Sequence, residues 1–289
     1  MKKWSLFLAV YGALCLLAAC AAPNAPANTP ADGGNPLHGA QSGGKPAEAE
    51  QVTETFRLID GGGRGQTAVL AKADGGAGDV YTLDLFSAAD VSLEGAEESG
   101  LPADWAPRAG ALIEVTYDGM VLESYPARFA NVSAVRVLQS GFDDRCALYL
   151  EVLEDLWEAG GSLSQDSPAY IGADLSQTSL SESEQAAVVW IFAGRHGAEG
   201  LEATYDELVD QGYIRETDAD GAAFPHWEDG ILFTITEKET GSALTAPTLA
   251  FDAQVWRSAL GAYFFSDCSS TADPSGHWNQ YKVGTQAIS

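Results

Sequence analysis

The side chains able to carry chemistry in this 289-residue chain are few and scattered. Its four histidines stand alone at 38, 196, 226 and 277, so the His-Glu-x-x-His face that holds a hydrolytic zinc is missing. No serine occupies the centre of a G-x-S-x-G turn, the strained elbow that exposes a nucleophile. No G-x-x-x-x-G-K-[ST] loop is present to cradle phosphate. The run Gly61-Gly62-Gly63-Arg64-Gly65 leads into a strand pattern rather than a helix N-terminus. If the fold brings separate elements together, Asp143, Asp144, His226 and His277 form the set from which an extracellular hydrolase or isomerase could be assembled. The other candidate is an aromatic surface. His226, Trp227, Trp256, Arg257, Trp278 and Tyr281 fall in or beside the terminal strand patterns, where they either line a ligand face for a sugar or a peptide or serve as core.

One near miss concerns calcium. Glu216-x-Asp218-x-Asp220-Gly221 matches the first half of an oxygen-rich loop, but the twelfth position falls on Trp227 and a strand pattern follows where a second helix belongs. An acidic hairpin turn is the simpler reading, and neither a metal nor a cofactor is expected. Sulfur chemistry is equally thin. Of the four cysteines, Cys15 and Cys20 lie in the first twenty residues; Cys146 and Cys268 remain, without C-x-x-C spacing, so one disulfide at most can form in the folded part.

The charge balance narrows the classes further. Lys and Arg total 15 against 41 Asp and Glu, a formal net charge of −26. Losing the first twenty residues, which hold Lys2 and Lys3 and no acid, takes this to −28. Such a surface repels phosphates and anionic headgroups, so a nucleic-acid partner is excluded.

Residues 1–20 have a charged start, an apolar run from Leu6 to Ala19 and the tetrapeptide Leu17-Ala18-Ala19-Cys20. This is a signal-peptide layout, with a run shorter than the ~20 residues a spanning helix needs. Leu-Ala-Ala-Cys resembles the bacterial lipobox, and the resemblance implies cleavage before Cys20 and lipidation of its sulfur. Acyl chains contributing ~0.8 kcal/mol per buried CH₂ would then hold the chain on the extracytoplasmic face of the cell membrane. Residues 21–50 carry five prolines and paired glycines, with Leu37 as the only large apolar side chain. That composition cannot offset its ordering entropy and reads as a spacer.

The expected fold class is α+β in two domains. Over residues 51–140 the pattern has period two, with strands expected at 67–72, 80–85, 112–117, 120–125 and 132–138. Asp118-Gly119 is the turn of a hairpin between the third and fourth of these, and Asp74-Gly75-Gly76 marks another. Several short strands in under about a hundred residues suggest a small closed antiparallel barrel, since closure removes exposed edges. The stretch from Gly110 to Pro126 resembles a module of small uncharacterised exported proteins of Gram-positive bacteria. The resemblance implies an OB-like barrel and no activity.

Over residues 141–289 the period changes. Ala147, Leu148, Leu150, Val152, Leu153, Leu156 and Trp157 form a helical stripe ending at Gly160-Gly161. Ser181 with Glu184 and Thr204 with Glu207 are capping boxes for two more helices, ending near Gly194 and Gly212. Strands are expected at 231–236, 248–251, 262–266 and 278–283, with a turn at Pro274-Ser275-Gly276. Three helices followed by an antiparallel sheet is an α+β order. Two topologies fit it. One is a winged helix, whose reading helix would carry Asp206, Glu207 and Asp210 and no base, which rules out DNA. The other is a helix-wrapped curved sheet of the nuclear-transport-factor or cystatin kind. The segments 255–268, 276–278 and 283–289, with Asp155-Leu-Trp157 and Asp174-Leu-Ser176, resemble lipoproteins of anaerobic Gram-positive bacteria, a resemblance that brings no catalytic motif. The expected role is therefore a membrane-anchored binding or envelope-accessory module with a carbohydrate, peptide or envelope-protein partner; a lipoprotein inhibitor docking through sheet loops belongs to the same class.

Overall fold

The computed structural model describes residues 51–96, 101–160, 167–219, 222–238, 247–278 and 281–289. Cys20 and the spacer lie outside them, as do Asp220 and Gly221 of the acidic loop. Glu48–Ser289 clusters as one compact unit, and its described residues form a mixed α+β architecture with three α-helices and two large sheets.

The first sheet is organised by β1 (Val52–Asp60), a strand hidden in the sequence by its polar opening Thr53-Glu54-Thr55. It pairs antiparallel with β2 (Ala68–Lys72) on one side and β5 (Leu112–Tyr117) on the other. The full order is β4-β8-β5-β1-β2-β3-β7-β6, with β3 at Val80–Leu83, β4 at Asp90–Leu93, β6 at Val121–Leu122, β7 at Ala127–Phe129 and β8 at Val132–Val137. Two neighbouring pairs, β3 with β7 and β4 with β8, are parallel. No pairing among the described residues joins β4 to β6, so the path stays open.

The inner face gathers Phe56, Leu58, Leu70, Tyr81, Ile113, Val115, Tyr117 and Phe129. Phe129 sits at its centre, stacked on Tyr81 at 5.0 Å and edge-on to Phe56 and Tyr117, the geometries aromatic rings favour. The opposite face is buried too. Ile59, Val69, Ala71 and Val80 join the core formed with the helices, which explains why Ala68–Ala71 is apolar at every position instead of alternate ones.

The Asp118-Gly119 turn forms, with Gly119 at φ +78 and the Asp118 carboxylate accepting from the Met120 N–H at 3.0 Å. The hairpin expected across it does not. β5 is already paired on both sides, by β1 and β8, so the chain leaving the turn supplies only the two-residue β6, which pairs with β7 at the sheet's end. Turn chemistry specified the reversal and could not specify the partner. At Asp74, φ is 58 and the expected reversal joins β2 and β3.

In the second sheet, helices and strands interleave, which corrects the order of helices first and antiparallel sheet last. β9 (Tyr170–Gln177) lies between α1 (Arg145–Ala159) and α2 (Glu182–Arg195), and β10 (Glu199–Glu202) lies between α2 and α3 (Tyr205–Asp210). β9 pairs in parallel with β10 and with β13 (Gly230–Lys238), so α2 is the crossover of a parallel unit. Antiparallel pairing begins beyond β13, at β14 (Thr248–Ser258), β15 (Gly261–Thr271) and β16 (Thr285–Ile288). A hairpin of β11 (Arg215–Ala219) and β12 (Ala222–His226) reaches β14 through His226 and Ser258. Of the strand expected at 278–283, residues 279 and 280 lie outside the described residues, and the described ones carry an isolated bridge between Ser269 and Lys282. Both capping boxes form, with reciprocal bonds at Ser181–Glu184 and Thr204–Glu207.

Candidate functional site

The site begins with two glycines. Gly172 on β9 and Gly230 on β13 leave room for the indole of Trp227: a Cβ on Gly230 would lie 1.9 Å from the ring's Cε2, and one on Gly172 would lie 3.0 Å from its Cζ3. Trp227 is fully buried and packs with Ala203, Leu208, Ile214 and Leu232; Tyr170, Tyr205, Tyr213 and Trp256 close the rim. Its Nε1 has no hydrogen-bond partner among the described residues.

Beside this buried residue the chain builds a cleft of about 470 Å³, lined by Tyr170, Tyr213, Arg215, His226, Glu228 and Asp229, with Gln211 and Gly212 completing it. The end of α3 positions one wall. The Gly212 N–H bonds the Val209 carbonyl at 3.0 Å and the Tyr213 N–H bonds that of Leu208 at 2.9 Å, the paired closure of a Schellman turn, with Gly212 at φ +80. Tyr213 is thereby aimed edge-on at Tyr170, ring centroids 5.2 Å apart. The Gly212 carbonyl also accepts from Arg215 Nε at 2.9 Å, holding the guanidinium at the mouth. The opposite wall is the 226–229 turn. Its Trp227 N–H bonds the Arg257 carbonyl, its Glu228 carbonyl accepts from Arg257 Nη2 at 2.9 Å, and its Asp229 carbonyl accepts from the N–H groups of both Ala169 and Tyr170. Arg257 is therefore a brace for the wall. Two phenol rings beside a cation, an imidazole, a carboxamide and two carboxylates can bind a ligand that combines an apolar face with many hydroxyls.

The six aromatic and basic residues read from the sequence divide between two cores. His226 lines the cleft, Trp227 lies buried beneath it, Arg257 braces it, and Trp256 stands half-buried at the rim against Tyr205, 5.1 Å between ring centroids. Trp278 and Tyr281 pack instead on the helix-side core. Tyr281 approaches Phe251 at 6.0 Å and donates to Asp155. Tyr170, Tyr213 and Arg215 were not singled out from the sequence. The Thr204–Glu207 box followed by Gly212 was the available signal, because a helix closed by a Schellman turn fixes where the next side chain points.

The acid and histidine set divides as well. Asp144, the N-cap of α1, makes no cap bond to its own helix. Its carboxylate takes His277 Nδ1 at 2.9 Å and the Trp278 N–H at 2.8 Å. His277 Nε2 is 3.2 Å from Arg108 Nη1, and the ring packs on Phe142 at 4.4 Å. Arg108 can only donate, so the Nε2 lone pair is engaged and Nδ1 carries the proton. The pair clasps the 273–278 turn to α1. His226 is not part of it; it lies on β12 in the cleft. Asp143 is bound to Arg145 through Nε and Nη2, the latter at 2.5 Å. Cys146 and Cys268 are free thiols, both buried.

Burial opposes ionisation of Asp143, but the hydrogen bonds and charge of Arg145 outweigh it, and the carboxyl sits below its ordinary range. A carboxyl with a lowered folded-state value adds stability that is complete above its unfolded value and lost as pH falls through the folded one. Urea midpoints of the native chain and Asp143→Asn are expected to differ most near neutrality and to converge below about pH 4. A constant gap across that range contradicts the assignment.

Comparison with known proteins finds no matching family model, curated protein or solved structure.

Proposed function

We propose that this chain is a lipoprotein of the bacterial cell surface, anchored through Cys20, whose role is to bind a small saccharide in the cleft at Tyr170 and Tyr213. The observation that carries the reading is the pairing of two phenol rings 5.2 Å apart with the polar groups of Gln211, Arg215, His226, Glu228 and Asp229 in one cleft. A sugar presents C–H faces that rings cover and hydroxyls that both donate and accept, and this wall offers both kinds of partner. The size, about 470 Å³, lies in the range of small-ligand sites, roughly 300–1,000 Å³. The role is binding, not turnover. We read the first sheet as an OB-like module; the β1–β2–β3 meander with β5 and β8 around Phe129 supports that reading.

Titration of the full-length chain with neutral mono- and disaccharides, followed by calorimetry, tests the cleft. Binding with a dissociation constant between about 1 μM and 1 mM is expected, together with a loss of about tenfold or more in Tyr213→Ala that leaves the far-ultraviolet spectrum unchanged. Silence from every sugar at millimolar concentration sinks the ligand class. Anchoring is tested separately: Cys20→Ser is expected to move the chain from the membrane to the soluble fraction of the producing bacterium.

A further inference from the structure

At the far end of the first sheet, Met120, Val121, Leu122 and Tyr125 are exposed by 61%, 36%, 51% and 54%. Four large apolar side chains in six residues form a strip, whereas other exposed ones such as Leu260 stand singly. A contiguous apolar strip on a sheet edge marks an interaction surface. β6 is that edge: β7 pairs with one side of it, and among the described residues nothing pairs with the other.

The charge around the strip limits what can cover it. Between Arg108 and Arg128 there is no lysine or arginine, while Glu114, Asp118 and Glu123 are acidic. Arg128 lies opposite Leu122 on β7, and of the three acids Glu114 is already bridged by Arg136 at 3.4 Å, which leaves Asp118 and Glu123 as the anions next to the strip in sequence. The acidic side extends to a second cleft of about 330 Å³, whose lining includes Asp174, Glu182, Glu202 and Glu207. Asp174 accepts from the Ser176 N–H and hydroxyl at 3.1 and 2.6 Å. Glu207 closes the α3 capping box and Glu182 lies in the first turn of α2, where helix dipoles favour anions. Partial burial and the charges of Glu182 and Glu207 push the Glu202 carboxyl above its ordinary value, and burial and Glu202 together raise the Tyr125 hydroxyl, so strip and cleft lie within electrostatic reach.

We propose that Met120–Tyr125 is a docking strip for a basic amphipathic peptide segment, bound extended along β6 with its cations directed to Glu123 and Glu202. Three features favour that occupant over others. The apolar side chains need an apolar partner, the open edge accepts an extended backbone, and the acidic surround attracts cations while repelling anionic lipid. A second copy of the chain is disfavoured by a net charge of −26 on each partner. With only two residues in β6, side chains rather than backbone pairing supply most of the affinity.

Fluorescence anisotropy of the full-length chain with a labelled alternating Lys-Val peptide of about eight residues tests the strip, with a Glu-Val peptide as control. The Lys-Val peptide is expected to bind, and to weaken as salt rises from about 50 to about 200 mM, while the Glu-Val peptide stays free. Leu122→Lys places a cation in the strip without touching the core and is expected to weaken binding by about tenfold; Glu202→Gln lowers it by about threefold. Leu260→Lys, on the β14–β15 turn of the second sheet, leaves it unchanged. Equal binding of the Glu-Val peptide, no effect of Leu122→Lys, adsorption to neutral phosphatidylcholine vesicles in place of peptide binding, or a dimer in light scattering that Leu122→Lys abolishes would each overturn the proposal.

Discussion

Gly230→Ala is expected to lower the unfolding free energy by about 3 kcal/mol or more, the upper part of the range for an overfilled core. The added methyl falls 1.9 Å from Cε2 and 2.4 Å from Cδ2 of Trp227, so one of the two must move. The ring cannot swing away freely, since Gly172 lies beneath its other end and Tyr213 is 5.8 Å from it. The backbone cannot move freely either, because Gly230 opens β13 and is paired with Tyr170. Gly172→Ala meets the same ring at 3.0 and 3.2 Å and is expected to cost less, about 1 kcal/mol. Gly194 in α2 has nothing within 4 Å of an added Cβ, so Gly194→Ala in the helix is expected to gain about 0.5–1 kcal/mol. Urea unfolding followed by circular dichroism ranks the three. Trp227→Leu in the Gly230→Ala background is expected to restore part of the loss, which separates a clash with the ring from damage to β13 itself. The same pair of variants bears on the cleft, because Tyr170 and Asp229 flank Gly230 in sequence or in register. If Gly230→Ala leaves stability within about 0.5 kcal/mol of the native chain, the glycines do not seat the indole.

That seat was not legible in the sequence, although its parts were. Trp227 was singled out as a large aromatic beside a strand, yet the choice between core and ligand face depends on what lies under the ring. What lies under it is two glycines 58 residues apart, brought side by side by a parallel pairing of β9 with β13 that leaves no mark in either strand alone. Local chemistry was readable wherever it closed on itself. Both capping boxes, the α1 stripe and the turns at Asp74 and Asp118 are satisfied within a few residues, and all appear in the structure. Strand partnership was not readable, because an edge presents the same hydrogen-bonding groups to any neighbour. The hairpin after β5 failed for that reason: β1, masked by its Thr and Glu residues, had taken the place expected of residues 120–125. The cleft followed the same rule. His226 could be named, since histidine is scarce in this chain, but Tyr170 and Tyr213 acquire meaning only when α3 and β9 meet.

Arg57 provides the second large effect, and it concerns the junction where the first sheet meets the helices. Arg57 Nη1 donates to the Gly110 carbonyl at 2.9 Å and to the Gly141 carbonyl at 2.5 Å, and Nε donates to Glu184 Oε1 at 3.2 Å. One side chain of β1 thus ties together the approach to β5, the loop leading to α1 and the first turn of α2. The arginine and glutamate side chains are each 16% exposed, so solvent screens them only weakly, and removing one leaves the other short of partners in a poorly hydrated place. Arg57→Met, close in length and uncharged, is therefore expected to cost about 3 kcal/mol. Arg57→Lys keeps the charge but not the planar fork that reaches three acceptors, and is expected to cost about half as much. Glu184 has a second duty, since its Oε2 closes the capping box with the Ser181 N–H at 2.9 Å. Glu184→Gln can keep much of that bond while giving up the ion pair, so Arg57→Met with Glu184→Gln should cost less than the sum of the single changes, by about 1 kcal/mol or more. Additive losses would mean that Arg57 acts through the two carbonyls alone. A loss below about 0.5 kcal/mol in Arg57→Met would instead place the junction's stability in the apolar packing of Ile59, Val69, Ala71 and Val80 against the helices.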